Sequence, residues 1–350
     1  MSDIVRAQVI GSLLDPPGDV SATADVDAAV RAAIALQEKI GFEVVTDGEL
    51  RRGFFFEPLA AAVEGLAPPG APAVPWLAAD PADDFDEELP ICVAARLGDS
   101  GVRPSLDEAH FAAGLAPRLK VALPSPFFFC QLWSPEVSAQ AYPDPFEMFA
   151  AAAAILRHQV EGLAELGVAE IQIDADELGV LVDPTVRERY AASGLDPERL
   201  LTEGADLLGD LVAGIETPTG LHMCRGNFKG LHMAAGDWEA IAPTIFPRLS
   251  AFDSLLLEFD GPRCGSFVGL RHVLPEQAVV LGLVSTKEPP RLGPEQVAAR
   301  VREASRYVPL ERLAISPAAG FAPAPEGNPL TPADQERALR LVVEAAEVIW

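Results

Sequence analysis

The chain is poor in positive charge and has no apolar run long enough to cross a membrane. Its 350 residues include 26 lysines and arginines against 52 aspartates and glutamates, a formal net charge of −26. Nucleic acids and anionic lipid surfaces are bound through clustered lysine and arginine side chains, so the charge argues against both kinds of partner. No uninterrupted apolar stretch reaches the roughly 18 residues that a membrane span requires.

Cysteine is also scarce. Cys92, Cys130, Cys224 and Cys264 form no Cys-x-x-Cys pair and are too few for a disulfide framework. The first 19 residues have no positively charged segment followed by a long apolar run, the pattern typical of a secretory signal. Glycine and proline, 28 and 32 residues, are too few for a low-complexity chain. We therefore expect a soluble, globular protein of the reducing cytoplasm.

Short β-rich segments alternate with segments of helical periodicity, which predicts one domain over 1–350. The predicted strands are Val5–Gly11, Phe42–Thr46, Lys120–Leu123, Glu170–Ile173, Gly220–Met223, Ser254–Phe259, Ala278–Val284 and Leu313–Ser316. The predicted helices are Val26–Ile40, Pro145–Leu166, Pro197–Ile215, Trp238–Phe246, Pro294–Tyr307 and Thr331–Val348. Eight strands in right-handed βαβ units favour an α/β fold, the (β/α)8 TIM barrel. An open doubly wound sheet is the alternative, but the Gly-x-Gly-x-x-Gly fingerprint of its dinucleotide-binding form is missing.

One region does not follow this alternation. Residues 65–86 are rich in proline, alanine and aspartate, and no long helix is predicted before about residue 118. We interpret the region at about 65–118 as an insertion between strands two and three. The segment Leu89–Leu97 predicts an extra strand within it.

Active residues of such a barrel lie at the carboxyl ends of the strands. His222 and Cys224 end the fifth predicted strand, and their i, i+2 spacing places both side chains on one face. An imidazole and a thiolate are good zinc ligands, and Glu258 at the end of the next strand would be a third. Three protein ligands with an open fourth position are typical of a catalytic zinc site. The alternative is a buried histidine and cysteine that fill the core.

Carboxylates and phenylalanines follow other strand ends. Asp47, Glu49 and Asp174 are candidates to hold an amino group or to act as acid and base groups. Their alternative roles are helix capping or simple hydration. The triplets Phe54–Phe56 and Phe127–Phe129 would wall an apolar pocket that includes Phe128, or would pack the top of the barrel.

Seven segments, in order along almost the whole chain, carry a family resemblance. They are VIGSLL at 9–14, EVVTDGELRR at 43–52, IQIDADEL at 171–178, HMCRGN at 222–227, LLLEFD at 255–260, LGLVSTKEP at 281–289 and ISPAAGF at 315–321. The chain thus resembles the cobalamin-independent methionine synthase family, in a short form that corresponds to its catalytic C-terminal barrel. In that family, zinc activates the thiol of homocysteine, which takes a methyl group from a folate.

The resemblance implies roles for individual residues. The zinc ligands of the family fall on His222, Cys224 and Glu258. Glu49 and Asp174, which are also our candidate catalytic acids, match the acids that hold the amino group of the amino acid. Ser12 matches the serine of the first strand. The resemblance therefore implies a zinc-dependent methyl- or alkyl-transferase whose partners are a small thiol and a methyl or alkyl donor.

The sequence also departs from the family pattern. Ala319 stands where the family has its last cysteine ligand, and an alanine cannot bind a metal. Cys264 is a candidate replacement. Asp176 replaces the usual proline after the fourth strand, and we expect no counterpart of the N-terminal barrel that helps to bind polyglutamyl folate in the long enzymes of the family.

These departures leave the reaction open. Short relatives of this superfamily include transferases that act on other thiols and demethylases of methoxy-aromatics. A second hypothesis is therefore a lyase, hydrolase or demethylase on the same barrel, with a weakened or absent zinc site. A third is a relative that binds a small molecule without turning it over.

Overall fold

Strands and helices alternate along the chain in the computed structural model, which describes residues 4–14, 25–78 and 81–350. The helices are α1 (Val26–Ile40), α2 (Glu57–Ala62), α3 (Pro104–Ala113), α4 (Pro135–Ala141), α5 (Pro145–Leu166), α6 (Asp176–Gly179), α7 (Pro184–Ala192), α8 (Pro197–Arg199), α9 (Ala205–Val212), α10 (Ala242–Ile245), α11 (Pro294–Ala304) and α12 (Pro332–Ile349). The strands are β1 (Val63–Ala67), β2 (Val74–Trp76), β3 (Phe85–Glu87), β4 (Cys92–Asp99), β5 (Lys120–Pro124), β6 (Glu170–Asp174), β7 (Thr219–Met223), β8 (Ser254–Glu258), β9 (Ala278–Val284) and β10 (Leu313–Pro317).

The strands β5 to β10 form one parallel sheet in chain order. At one edge Ala7 makes a parallel bridge to Ile315 of β10, and at the other edge Val45 makes a parallel bridge to the residue that precedes β5. The two edge segments meet where Leu13 N donates to Gly48 O over 2.9 Å. The sheet thus closes into the (β/α)8 barrel, with the segments around Ala7 and Val45 in the first two strand positions.

Two predicted strands are much shorter than expected: Val5–Gly11 and Phe42–Thr46. Each is reduced to one bridge, because side-chain amides take over hydrogen bonds that a neighbouring strand would make. Gln37 of α1 accepts from Thr46 N over 2.9 Å and donates to Thr46 O over 2.8 Å. Gln172 of β6 donates to Ile10 O over 2.8 Å. The prediction of extended strands at these two positions is therefore wrong, although both segments occupy barrel positions.

The long helices α1 and α5 have the predicted limits. Asp25 accepts from the Ala28 N–H at the start of α1, and Gly41 ends that helix with a φ of 113°. Proline stands at the first position of α5, and Gly167 ends it with a φ of 78°. Capping residues at both ends made these two helices predictable from sequence.

Two predicted helices are broken. The predicted helix Pro197–Ile215 is interrupted by a π-helical turn, Leu200–Gly204, between α8 and α9. The predicted helix Trp238–Phe246 consists of a 3₁₀ turn followed by the short α10. Pro243 lies in α10 and another proline follows Phe246, and neither residue has an N–H to donate to a continuous helix.

Small elements fill the chain between the Val45 bridge and β5. Strand β1 pairs with β4, and β2 pairs with β3, both antiparallel. β4 begins at Cys92, three residues later than the predicted extra strand. The β2–β3 pair is joined to the chain after β7, where Leu77 N donates to His232 O over 2.7 Å. Residues 79–80, between β2 and β3, lie outside the described residues. Residues 1–3 and 15–24 do so as well, and the prediction that the chain has no secretory signal rests partly on them. The insertion at about 65–118 and the single domain over 1–350 stay predictions.

The barrel strands are buried on both faces, as expected of a parallel sheet covered by helices. Inside it, Ile10, Leu256, Val280 and Ala314 form a small cluster of their own. Side chains can therefore reach solvent mainly at the two ends of the barrel. Within the described ranges, no helix combines the length and the apolar character that crossing a membrane would take.

Candidate functional site

A small polar cavity lies at the carboxyl ends of the barrel strands. Five predicted site residues contribute to its wall, Ser12, Glu49, Asp174, His222 and Cys224, and Ala319 lies in the same wall. Ile10, Gly11, Phe55, Asp176, Asn227, Gly320 and Pro323 complete the lining. The barrel therefore brings together residues that are more than 300 positions apart in the sequence.

His222 is oriented by a carboxylate. Its Nδ1 lies 3.0 Å from Asp174 Oδ1, and Gln172 Nε2 donates to the same oxygen over 2.6 Å. The other ring nitrogen, Nε2, is buried and has no hydrogen-bond partner. Burial alone would lower the pKa of His222, but the hydrogen bond to Asp174, the charges of Asp176 and Asp174 and the nearby Ala318 backbone raise it above its usual value. An imidazole fixed by a carboxylate, with one free nitrogen, is the arrangement typical of a metal ligand.

Asp176 and Cys224 lie close to the His222 ring, with Asp176 Oδ1 3.9 Å from His222 Nδ1. Cys224 N donates to Asp176 Oδ1 over 2.9 Å, so the backbone after β7 is tied to the start of α6. The potential ligand atoms of Asp176, His222 and Cys224 all lie within 4.8 Å of one another. Burial raises the pKa of the Cys224 thiol well above its usual range, and the charges of Asp176 and Glu258 add to this shift. These three residues fit a divalent cation that accepts nitrogen, sulfur and oxygen ligands.

Glu258 is not one of the described residues that line this cavity. It is fully buried, and its carboxylate accepts from Lys287 Nζ over 2.8 Å, from Arg263, and from Arg225 N over 2.7 Å. Burial would raise the pKa of Glu258, but the charges of Lys287, Arg263 and Arg225 hold it well below its usual range. The predicted third ligand is thus engaged in a buried ion-pair cluster.

Ala319, which stands in place of the family cysteine, and Cys264, the candidate replacement ligand, lie in different parts of the structure. Ala319 lines the polar cavity with His222 and Cys224. Cys264 instead lies beside Glu258, and its thiol is 3.5 Å from Asp260 Oδ1. Burial raises the pKa of the Cys264 thiol to about 12, with the charge of Glu258 adding to the shift. Cys264 therefore belongs to the ion-pair cluster and not to the cavity wall.

Glu49 is the most perturbed acid of the cavity wall. It has a positive φ of 56° and a buried side chain, and Arg52 lies 3.5 Å from its Oε2. Burial raises the pKa of Glu49 to about 8; Arg52 opposes this shift, and Asp174 and Asp47 add to it. Asp47 is not among the residues that line the cavity. Its Oδ1 accepts from Glu49 N over 2.9 Å and so supports the backbone turn at Glu49. Arg52 also pairs with Glu108, over 2.8 Å.

Ser12 and Gly320 form another part of the cavity wall. Ser12 Oγ accepts from Ala322 N over 3.1 Å, and Ser12 O accepts from Phe321 N over 2.7 Å. A Cβ at Gly320 would clash with Ser12 Oγ, so only glycine permits this packing. Asn227 Nδ2 donates to Gly320 O over 2.7 Å, which closes the wall. Sequence reasoning missed Asn227, although it ends the HMCRGN segment.

A second, aromatic cleft adjoins the polar cavity. We define it by its lining: Phe54, Phe55, Phe56, Val74, Trp76, Glu87, Leu89, Phe128, Gln131, Asp176, Gly226, Asn227, Phe228, Met233 and Pro323. Phe128 stacks on Phe56 with ring centroids 4.2 Å apart, and Phe55 meets Phe128 edge-on at 5.7 Å. Phe127 is buried against Phe149 at 5.0 Å and does not line the cleft. The first phenylalanine triplet thus walls a pocket, whereas the second contributes Phe128 alone.

The arrangement can hold a cation or a metal ion at one end and an apolar group at the other. Carboxylates, an imidazole with a free nitrogen and a buried thiol share the polar cavity. Phe55, Asp176, Asn227 and Pro323 line both the polar cavity and the aromatic cleft, so the two spaces meet. Two small groups bound in them would lie side by side, as a group-transfer reaction requires.

Comparisons with known proteins agree with the barrel fold. Residues 144–348 match the family model described as the catalytic domain of cobalamin-independent synthase. The protein YxjH of Bacillus subtilis (strain 168) is 32% identical over 323 residues, which cover 90% of this chain and 82% of YxjH. The 5-methyltetrahydropteroyltriglutamate–homocysteine methyltransferase of Saccharophagus degradans is 26% identical over 84% of this chain but only 35% of its own length. A B12-independent methionine synthase from Shewanella sp. W3-18-1, solved with selenomethionine, has the same fold, with a TM-score of 0.76, 18% identity and coverage of 99% and 97% of the two chains.

Proposed function

The chain belongs to the cobalamin-independent synthase catalytic-domain family, and from that premise we propose that it transfers a methyl or alkyl group to a small thiol with the help of a bound zinc ion. Homology supports a methyltransferase-like role at this coarse level. The zinc ion and the thiol acceptor are our own extension of it. The observation that carries the extension is the buried cluster of His222, Cys224 and Asp176, whose potential ligand atoms lie within 4.8 Å of one another.

His222 and Cys224 would hold the metal ion. The resemblance implies Glu258 as the third ligand, but binding there requires Glu258 to leave Lys287 and Arg263. Asp176 already lies within reach of both other ligands, and we favour it. Bound zinc supplies the positive charge that keeps a thiol ionised at neutral pH.

Other residues of this chain would bind and orient the thiol substrate. Glu49 and Asp174 present carboxyl oxygens to the polar cavity and can accept hydrogen bonds from an ammonium group. Asp174 also fixes the ring of His222 through Nδ1. The aromatic cleft, including Phe128, would exclude water beside the reacting sulfur and receive the donor.

Metal content and methyl transfer test this proposal together. We expect about one zinc per chain in the purified protein, and its loss in Cys224→Ala. Cys92→Ala is the matched control, since Cys92 is also fully buried but lies in β4. Comparing Asp176→Asn with Glu258→Gln identifies the third ligand, because only the ligand variant should lose metal. Full activity and full metal in Cys224→Ala would refute the proposal.

A second candidate is a lyase, hydrolase or demethylase that needs no thiol. Ala319 in the cavity wall and the raised pKa values of Glu49 and Glu177, each about 8 and caused mainly by burial, favour it. A carboxylic acid with such a pKa can donate a proton near neutral pH. Turnover of a substrate with no thiol present, retained in Cys224→Ala, would support this candidate over the first.

A further inference from the structure

The aromatic cleft has the composition of a binding site for an organic cation. Four phenylalanines, Phe54, Phe55, Phe56 and Phe128, form one wall through mutual stacked and edge-on contacts. Trp76 and Phe228, with ring centroids 5.2 Å apart, stand elsewhere in the lining. The faces of aromatic rings attract cations, and cages of such rings bind quaternary ammonium groups.

The charges of the cleft have one sign. Its only ionisable lining residues are Glu87 and Asp176, and no lysine, arginine or histidine lines it within the described part of the chain. The Glu87 carboxylate on β3 makes no ion pair with any described residue. Lys229 stays outside the lining, although its Nζ lies 4.8 Å from the Phe228 ring centroid and 3.3 Å from Glu326. The charged groups of the cleft therefore favour a positive ligand over a negative one.

We propose that the aromatic cleft binds the methyl donor, and that this donor is an organic cation of the sulfonium or quaternary ammonium class. This inference rests on the proposed transfer to a thiol. The residues shared by both spaces, Phe55, Asp176, Asn227 and Pro323, put a methyl group in the cleft next to a thiol in the polar cavity. The rings would contact the methyl groups around the positive sulfur or nitrogen, and Glu87 would balance its charge.

The reaction balances without any further reactant. The thiolate sulfur attacks the methyl carbon and forms a new sulfur–carbon bond. The bond between that carbon and the positive sulfur or nitrogen breaks, and its electron pair stays on the leaving atom. A neutral sulfide or tertiary amine leaves, so the donor side of the reaction needs no acid. This suits a cleft whose other polar lining side chains, Gln131 and Asn227, are amides.

Binding of two isosteric alcohols tests the site independently of turnover. Choline carries a trimethylammonium group, and 3,3-dimethylbutan-1-ol replaces its nitrogen with carbon and is neutral. By calorimetry on the purified full-length protein, we expect choline to bind about tenfold more tightly, since a cation over desolvated rings gains roughly 1–2 kcal/mol. Equal binding of the two probes, or tighter binding of the neutral one, would overturn the proposal.

Variants locate the site. Glu87→Gln and Phe228→Leu should each reduce the preference for choline about three- to tenfold. Glu88→Gln, an exposed neighbour that does not line the cleft, is the matched control and should keep it. Thermal melts identify any variant that fails to fold. A preference that survives both cleft variants in folded protein would place the cation elsewhere and refute the assignment.

The donor role is tested by transfer from trimethylsulfonium labelled in its methyl groups. With the metal-loaded protein and a panel of thiols, we expect a labelled thioether and dimethyl sulfide in equal amounts. Selective choline binding without any label transfer, in protein that methylates a thiol from another donor, refutes the donor role while the proposed function stands. Loss of zinc and of all thiol methylation would instead refute the proposed function, and the choline comparison still reports on the cleft.

Discussion

His222 Nδ1 lies 3.0 Å from Asp174 Oδ1, and this contact leaves His222 Nε2 buried without a partner in the polar cavity. The carboxylate fixes both the ring orientation and the nitrogen that remains free. Because β6 and β7 are adjacent parallel strands with Asp174 in register with His222, the barrel itself sets this distance. The first prediction follows from this pair.

Asp174→Asn should weaken zinc binding. A second-layer carboxylate that orients a ligand histidine typically contributes 10–100-fold to metal affinity, so we expect a loss of about that size. The measurement is zinc competition against a chelating fluorophore. Asp206→Asn, which removes an exposed carboxylate paired with Arg248, is the control and should leave zinc affinity unchanged. Equal affinities in the two variants would show that Asp174 does not orient a metal ligand.

Glu258→Gln should destabilise the protein strongly. The substitution leaves Lys287 and Arg225 without their buried carboxylate, and breaking a buried ion pair costs about 3–5 kcal/mol. Glu288→Gln removes one partner of the exposed pair with Arg291 and should cost less than about 1 kcal/mol. Urea denaturation of both variants measures the difference. A small loss of stability in Glu258→Gln together with loss of zinc would make Glu258 a metal ligand instead.

The Glu258 cluster also shows where sequence reasoning reached its limit. The i, i+2 spacing of His222 and Cys224 on one strand was sufficient to predict that they share a cavity wall, because strand geometry is local. The ion-pair partners of Glu258 are Lys287, which follows β9, and Arg263, and no residue spacing within β8 predicts them. Its role as a zinc ligand stays a prediction.

The overall fold was easier to predict than the limits of its individual elements, because local sequence signals decide most elements and tertiary contacts decide the rest. Most barrel strands and the helices α1 and α5 carry strong local signals, in buried apolar runs and in capping residues. The first two barrel positions were also predicted as full strands, but each forms one bridge, and the amides of Gln37 and Gln172 bond the backbone there. Short helices such as α7 were missed because their nine or so residues show little periodicity. Tertiary contacts decided those elements.

Glu49 should make the protein less stable as pH rises. Its pKa is about 8 in the folded chain, raised mainly by burial, against 4.5 as the ordinary value. Between pH 4.5 and about pH 8, the unfolded chain has released the proton of Glu49 and the folded chain still holds it. The free energy of unfolding therefore falls as pH rises. The slope from this group reaches about 1.4 kcal/mol per pH unit.

Glu49→Gln removes that contribution. Melting temperatures from pH 5 to 8 should fall less steeply in Glu49→Gln than in the unchanged protein. Some slope should remain, because burial raises the pKa of Glu177 to about 8 as well. Glu43→Gln, at an exposed glutamate paired with Arg118, is the control and should keep the original slope. Identical slopes in all three proteins would contradict a protonated Glu49 at neutral pH.

Gly179→Ala should disturb the polar cavity through the backbone. A Cβ on Gly179 would clash with the carbonyl oxygen of Cys224 and lie 3.2 Å from Met223 Cβ, so α6 would have to move away from the end of β7. Asp176 begins α6 and accepts from Cys224 N over 2.9 Å, so this hydrogen bond should weaken. Overpacking of this kind typically costs about 1–3 kcal/mol.

Two measurements separate this effect from a general loss of helix stability. Mass spectrometry after timed alkylation should show faster modification of Cys224 in Gly179→Ala, since its thiol is fully buried in the unchanged protein. Gly209→Ala in α9 is the matched control, because its Cβ would lie an ordinary 3.8 Å from Ala251 Cβ. That variant should gain about 0.5–1 kcal/mol from the better helix former and leave Cys224 protected. If Gly179→Ala were equally stable and equally protected, close packing of α6 on Cys224 would not be what shapes the cavity.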